Sequence, residues 1–174
     1  MDTANTQDIR PEQVWGWLGE VSDPEIPVIS VVDLGIVRDV KVGAAGPASC
    51  TVIITPTYSG CPAMEVIAED IQSALKRHGL QQVTIETRLS PAWTTDWMSD
   101  TGRENLKGYG IAPPAQQVID ISGILRRSKA EPAVDCPNCG SAHTSLVSQF
   151  GSTACKALYR CDDCLEPFDY FKCH

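Results

Sequence analysis

Eight of the 174 residues are cysteine, and four of them stand in two pairs with metal-ligand spacing: Cys136 with Cys139, and Cys161 with Cys164. Each pair is a C-x-x-C, and 21 residues separate the pairs. Two residues between thiolates let one tight turn bring both sulfurs to a single ion. Two such turns supply the closed tetrahedral set of a structural zinc site. Pro137 stiffens the first turn, and Gly140 can take the positive φ that points backbone N–H groups at sulfur. Iron–sulfur clusters also accept four thiolates, but two symmetrical knuckles are the ribbon pattern and favour zinc. Four protein ligands leave no open position, so catalysis at this ion is not expected. Cys155 and Cys173 lie in the same stretch outside the pairs. Their ordinary reading is as small buried apolar residues, with Cys173–His174 as an alternative capture point for a metal.

Cys61 is a different kind of cysteine. It follows Gly60, which permits close backbone approach, and precedes Pro62, which suits a first helical position. Cys61 is therefore expected as the N-cap of a helix, where unpaired N–H groups and a partial positive charge suit a thiolate. Such a sulfur could hold iron transiently, bind a cluster or attack an electrophile. The competing reading is a buried cysteine at a strand-to-helix corner. Asp23 and Glu25 flank Pro24; two carboxylates so placed could support a metal, although turn chemistry is the commoner role. His78 and His143 read as surface residues, and Trp93 and Trp97 as core or interface anchors.

The elements that must position these residues follow from periodicity. Val14, Trp17, Leu18 and Val21 recur at helical spacing, and Ser22 to Pro27 ends that helix. Ile36 to Val42 and Ser49 to Thr55 read as strands around a turn at 43–47. Met64, Ile67, Ala68, Ile71 and Leu75 mark a second helix to about His78, with Gly79 as its cap. Val83, Ile85, Thr87 and Leu89 alternate as a third strand. A loop over 91–98 and a short helix over 100–109 follow. The order predicts an α+β fold: a small sheet of about three strands, helices on one face, strands two and three parallel. The expected organisation is an α+β domain over residues 1–110, a connector over 111–132 and a zinc ribbon over 133–174.

The formal charge is −8, from 22 acidic and 14 basic residues, and neither half of the chain is basic. Sequence-independent nucleic-acid binding needs clustered Lys and Arg, so that class is excluded. No run reaches the ~18 apolar residues of a membrane span, and Met1 to Gln13 lacks the apolar stretch of a signal peptide. The expected location is the cytoplasm, where thiols stay reduced and serve as ligands. No G-x-S-x-G, phosphate-binding glycine loop or H-E-x-x-H is present.

Asp23-Pro24-Glu25-Ile26-Pro27, Val32-Asp33-Leu34-Gly35-Ile36-Val37 and Thr55-Pro56-Thr57-Tyr58-Ser59-Gly60-Cys61-Pro62 resemble the iron–sulfur cluster assembly domain of SufT-like proteins, over about residues 10–110. The runs Phe150 to Cys161 and Glu166 to His174, with Trp93 to Trp97 and Gly110 to Pro114, resemble the PaaD (PaaJ) family, accessory subunits of the bacterial phenylacetyl-CoA oxygenase system. The resemblance implies a role in aerobic phenylacetate degradation, helping to mature an iron–sulfur or di-iron centre in a partner rather than oxygenating substrate. It implies that Cys61 is the functional thiol and places Glu25 in the family's signature turn, with no departure at either position. The implied partners are the oxygenase subunits, foremost the iron–sulfur reductase component. The implied cofactors are a structural zinc and a transient iron–sulfur cluster or iron. A homodimer, and a purely structural or regulatory role in the oxygenase complex, stay open alternatives.

Overall fold

The computed structural model describes residues 9–43, 46, 48–114 and 134–172. The chain divides into two compact units, one ending at Gly102 and the other covering Arg103–Cys173.

In the first unit, helix α1 spans Pro11–Leu18 and buries Val14 and Leu18. Strand β1 (Val37–Val42) pairs antiparallel with β2 (Ser49–Ile54), and helix α2 (Ala63–Arg77) crosses to β3 (Gln82–Thr87), which pairs parallel with β2. The helical crossover makes parallel pairing possible, since a tight turn can only reverse the chain. Val40 lies opposite Val52, and Val52 opposite Ile85. This row is packed by the buried Ile67, Ile71 and Leu75 face of α2 and by α1. The opposite face carries Lys41, Thr84 and Glu86, all exposed. A bulge between Val37 and Asp39 breaks the strict alternation expected from Ile36. It lets Val37 and Val40, three residues apart, both turn inward.

The Asp33-Leu34-Gly35 turn ties down the segment after β3. The Asp33 carboxylate accepts hydrogen bonds from Ser30 Oγ at 2.6 Å and Ser99 Oγ at 2.7 Å. Buried Trp93 donates its Nε1–H to the Leu34 carbonyl at 3.0 Å. Gly35 has φ +74, and a Cβ there would stand 2.5 Å from the Trp97 carbonyl oxygen; both facts require glycine. The Arg38 guanidinium lies over the Trp97 ring, 3.5 Å from its centre. Within the expected loop, Thr95–Trp97 forms one 3-10 turn. Helix α3 (Asp100–Gly108) follows. Its Gly102 is a packing requirement, since a Cβ would meet Ile29 at 2.9 Å and the Asp33 carbonyl at 3.0 Å.

The second unit holds a four-stranded sheet in the order β4-β7-β6-β5. Strands β5 (Thr144–Ser148), β6 (Lys156–Cys161) and β7 (Pro167–Phe171) form an antiparallel meander. The short β4 (Ile111–Ala112) adds to β7 in parallel. Thus the first two residues of the expected connector belong to this sheet; most of the remainder of that stretch lies outside the described residues. The core of this unit is small: Ala112, Val134, Ala157, Tyr159, Phe168 and Tyr170, closed by Cys136 and Cys161. Among the described residues, no helix is long and apolar enough to cross a membrane.

Candidate metal centre and thiol site

The two C-x-x-C turns are built alike. The Cys136 amide donates to the Ser141 carbonyl at 2.8 Å, and the Cys161 amide to the Glu166 carbonyl at 3.0 Å. In each turn the residue after the second cysteine has positive φ: Gly140 at 76° and Leu165 at 66°. The first suits glycine. The second holds an ordinary side chain in a backbone region that costs it about 1–2 kcal/mol, so the turn is imposed by its surroundings. Across the turns, Ser141 and His143 hydrogen-bond to the Asp163 carboxylate, and the Asp162 amide donates to the His143 carbonyl at 2.8 Å.

These turns place the sulfurs of Cys136, Cys139, Cys161 and Cys164 within 4.8 Å of one another. Cys136 and Cys164 are 3.7 Å apart, and Cys139 and Cys161 are 3.6 Å apart. A tetrahedral ion with Zn–S bonds of ~2.3 Å requires sulfur–sulfur separations of about 3.8 Å, so the donor set fits. The thiols' acidities give the electrostatic counterpart. The Cys164 backbone amide, donating to the Cys161 sulfur at 3.4 Å, is the chief cause that brings Cys161 down to about 7. For Cys164, the Glu166 amide pulls downward, but desolvation and the neighbouring sulfurs outweigh it and push the thiol to about 12. One thiolate forms readily and a full set repels itself; a cation among the sulfurs removes that conflict. Among the described residues, this quartet is the only group of three or more His, Cys, Asp or Glu side chains placed to hold a metal.

Of the other described cysteines, Cys50 is buried on β2, and burial pushes its thiol up to about 11. Cys155 is buried with its sulfur 3.0 Å from Thr153 Oγ1. Cys173 and His174 lie outside the described residues. Cys61 alone of the three is partly exposed. It is not the N-cap that the sequence led us to expect: Pro62 is the N-cap and the helix starts at Ala63, so Cys61 stands one residue before the cap. The Cys61 carbonyl still accepts the Met64 amide at 3.4 Å, and its own amide donates to the Tyr58 carbonyl at 3.4 Å. Gly60 takes φ +92 with nothing near an added Cβ, so it serves the turn rather than a close approach.

Asp23 and Glu25 do not join Cys61 in a three-ligand group. Asp23 is buried, and its Oδ1 accepts the amides of Glu25 and Ile26, each at 2.8 Å. That is the turn-forming arrangement of an aspartate two and three residues before its donors. Beside the Cys61 loop, Thr55, Pro56, Thr57, Tyr58 and Ser59 line a cavity of about 300 Å³, with Leu89, Ala92 and Trp93 completing the wall. Sequence reasoning had no access to this cavity, because its two sides are about thirty residues apart along the chain. His78 and His143 are exposed, as expected; the His78 ring stacks on Trp17 at 4.4 Å.

Two family models match the chain. That described as an iron–sulfur cluster assembly protein covers residues 11–86, and that of the PaaD zinc beta ribbon domain covers residues 122–172. A protein of Escherichia coli (strain K12), named as a component of 1,2-phenylacetyl-CoA epoxidase, is 50% identical over 95% of this chain and 96% of its own. An Fe-S protein maturation auxiliary factor of Porphyromonas gingivalis is 40% identical over 51% of this chain and 83% of its own. A domain of unknown function, DUF59, from Bacillus anthracis matches in structure with TM-score 0.51 and 24% identity. It covers 55% of this chain and 90% of its own, a likeness of fold.

Proposed function

Because the chain belongs to the PaaD family of phenylacetyl-CoA epoxidase components, we propose that it is an accessory protein of that oxygenase system. In this reading it assists maturation of an iron–sulfur or di-iron centre in a partner subunit and does not itself transform substrate. The cysteine quartet holds a structural zinc that folds the ribbon, supplying on the order of 10 kcal/mol to a unit with a small core. Cys61 is the transient ligand for iron or a cluster. Glu25, in the family's signature turn, supports it, while Asp23 shapes that turn. The ribbon, with exposed Val147, Phe150 and Leu165, docks the client, foremost the iron–sulfur reductase component. The working compartment is the cytoplasm, where free thiols persist.

The observation that carries this reading is the partition of sulfurs. Four are mutually within ligand distance, Cys50 and Cys155 are buried, and Cys61 is partly exposed at the start of α2 beside a cavity. A thiol that accepts and releases iron must be reachable, and a structural ligand need not be. The test is a strain carrying Cys61→Ser at normal protein level. The purified reductase component is expected to lose most of its iron and sulfide. Full iron content in that component and in the oxygenase would reject the role for Cys61 and favour a purely structural subunit.

A further inference from the structure

Strand β3 ends the first sheet: among the described residues no strand pairs with its outer side. Its residues, and the chain on to Ala92, are exposed or only half-buried. Exposed strand edges are normally blunted by proline, a bulge or unmatched charge. Gln82–Thr87 has neither proline nor bulge. The Arg88 amide still bonds to the Ile54 carbonyl at 2.8 Å, so the extended course continues past Thr87. That bond also fixes which groups face outward. Glu86 and Arg88 turn their N–H and C=O groups toward β2, and Val83, Ile85, Thr87 and Leu89 turn theirs to the free side.

The side chains along this edge complement themselves. Glu86 and Arg88 flank Thr87 symmetrically, and Ile85 and Leu89 flank that pair. Leu89 is a large apolar residue left 61% exposed. We infer that this edge pairs with a second copy of the chain, β3 against β3 in antiparallel sense, with the two-fold axis at Thr87. Thr87 then meets Thr87 of the copy, and Ile85 meets Leu89 on either side. All of these residues direct their backbone groups outward, so they form the hydrogen-bonded pairs of an antiparallel ladder. Glu86 falls opposite Arg88 of the copy, twice, at the intervening closer pairs. A register shifted by one residue at the axis would bring Glu86 against Glu86. Leu89 also lines the cavity beside the Cys61 loop, so pairing would fix one wall of that cavity. The inference does not depend on the function proposed above.

Light scattering after gel filtration is expected to give twice the 18.8 kDa of one chain. Glu86→Arg and Arg88→Glu should each weaken dimerisation about tenfold or more, by turning two attractions into two repulsions. Either change also breaks the Glu86–Arg88 pair within the chain, so the deciding measurement is a mixture. The two variants mixed should recover a heterodimer by native mass spectrometry, because each opposes the other's charge while neither regains its internal pair. Thr87→Cys should cross-link to itself under mild oxidation where wild type does not, since opposed residues at such a pair lie within disulfide reach. A monomeric wild type at tens of micromolar, or a dimer indifferent to the mixing and to Thr87→Cys, would overturn the inference.

Discussion

Asp23 and Cys61 come from motifs that look equally significant in the sequence, and the structure separates their work. Asp23 holds two backbone amides in a buried turn; Cys61 stands outside the metal-ligand quartet on a partly exposed loop. Asp23→Ala should therefore cost about 1–3 kcal/mol, the penalty for stranding buried amides, measured by urea unfolding of the full chain. Cys61→Ser should shift the same unfolding curve by less than about 0.5 kcal/mol while abolishing the maturation role. The reverse ranking would exchange the two assignments. The quartet was legible in the sequence because C-x-x-C spacing is local geometry. The Ser141–Asp163–His143 link and the positive φ of Leu165 were not, since each depends on the second turn meeting the first.

Among the elements, periodicity located α1, α2 and the three strands of the first sheet to within a few residues, and the parallel pairing followed from the helix between β2 and β3. It could not find β4, whose two residues gain strand character only by pairing with β7. Nor could it show why Asp33-Leu34-Gly35 matters: its partners Trp93, Trp97 and Ser99 lie some sixty residues on. Gly35→Ala should destabilise the first unit by at least about 2 kcal/mol, combining left-handed strain with a backbone clash. Denaturant unfolding followed by tryptophan fluorescence checks this directly. On β2, Cys50 supplies a pH dependence. Its folded thiol is raised to about 11 by burial above its unfolded range, so at alkaline pH the unfolded chain has released a proton that the folded chain retains. Its contribution is fully present below the unfolded value and is lost as pH rises to about 11. Stability measured across the alkaline range up to that value should fall in wild type and fall less in Cys50→Ala.

For the molecule as a whole, the sulfurs divide by place: a clustered quartet in a ribbon with little core of its own, and a partly exposed thiol on the first unit. The structural zinc proposed for the quartet predicts that a strong zinc chelator abolishes the ribbon's structure while leaving the first unit folded, which amide exchange in the two units separates. The two family signatures were readable because each sits in its own half of the sequence; the cavity walled by Trp93 and Leu89 was hidden because only the fold assembles it.

The most direct measurement is metal analysis with an absorption spectrum on protein purified without oxygen, wild type beside Cys61→Ser. One zinc per chain is expected in both, with iron–sulfur absorption after reconstitution in wild type alone. A zinc-free quartet, or equal iron–sulfur absorption in the two proteins, would contradict the assignment of the sulfurs.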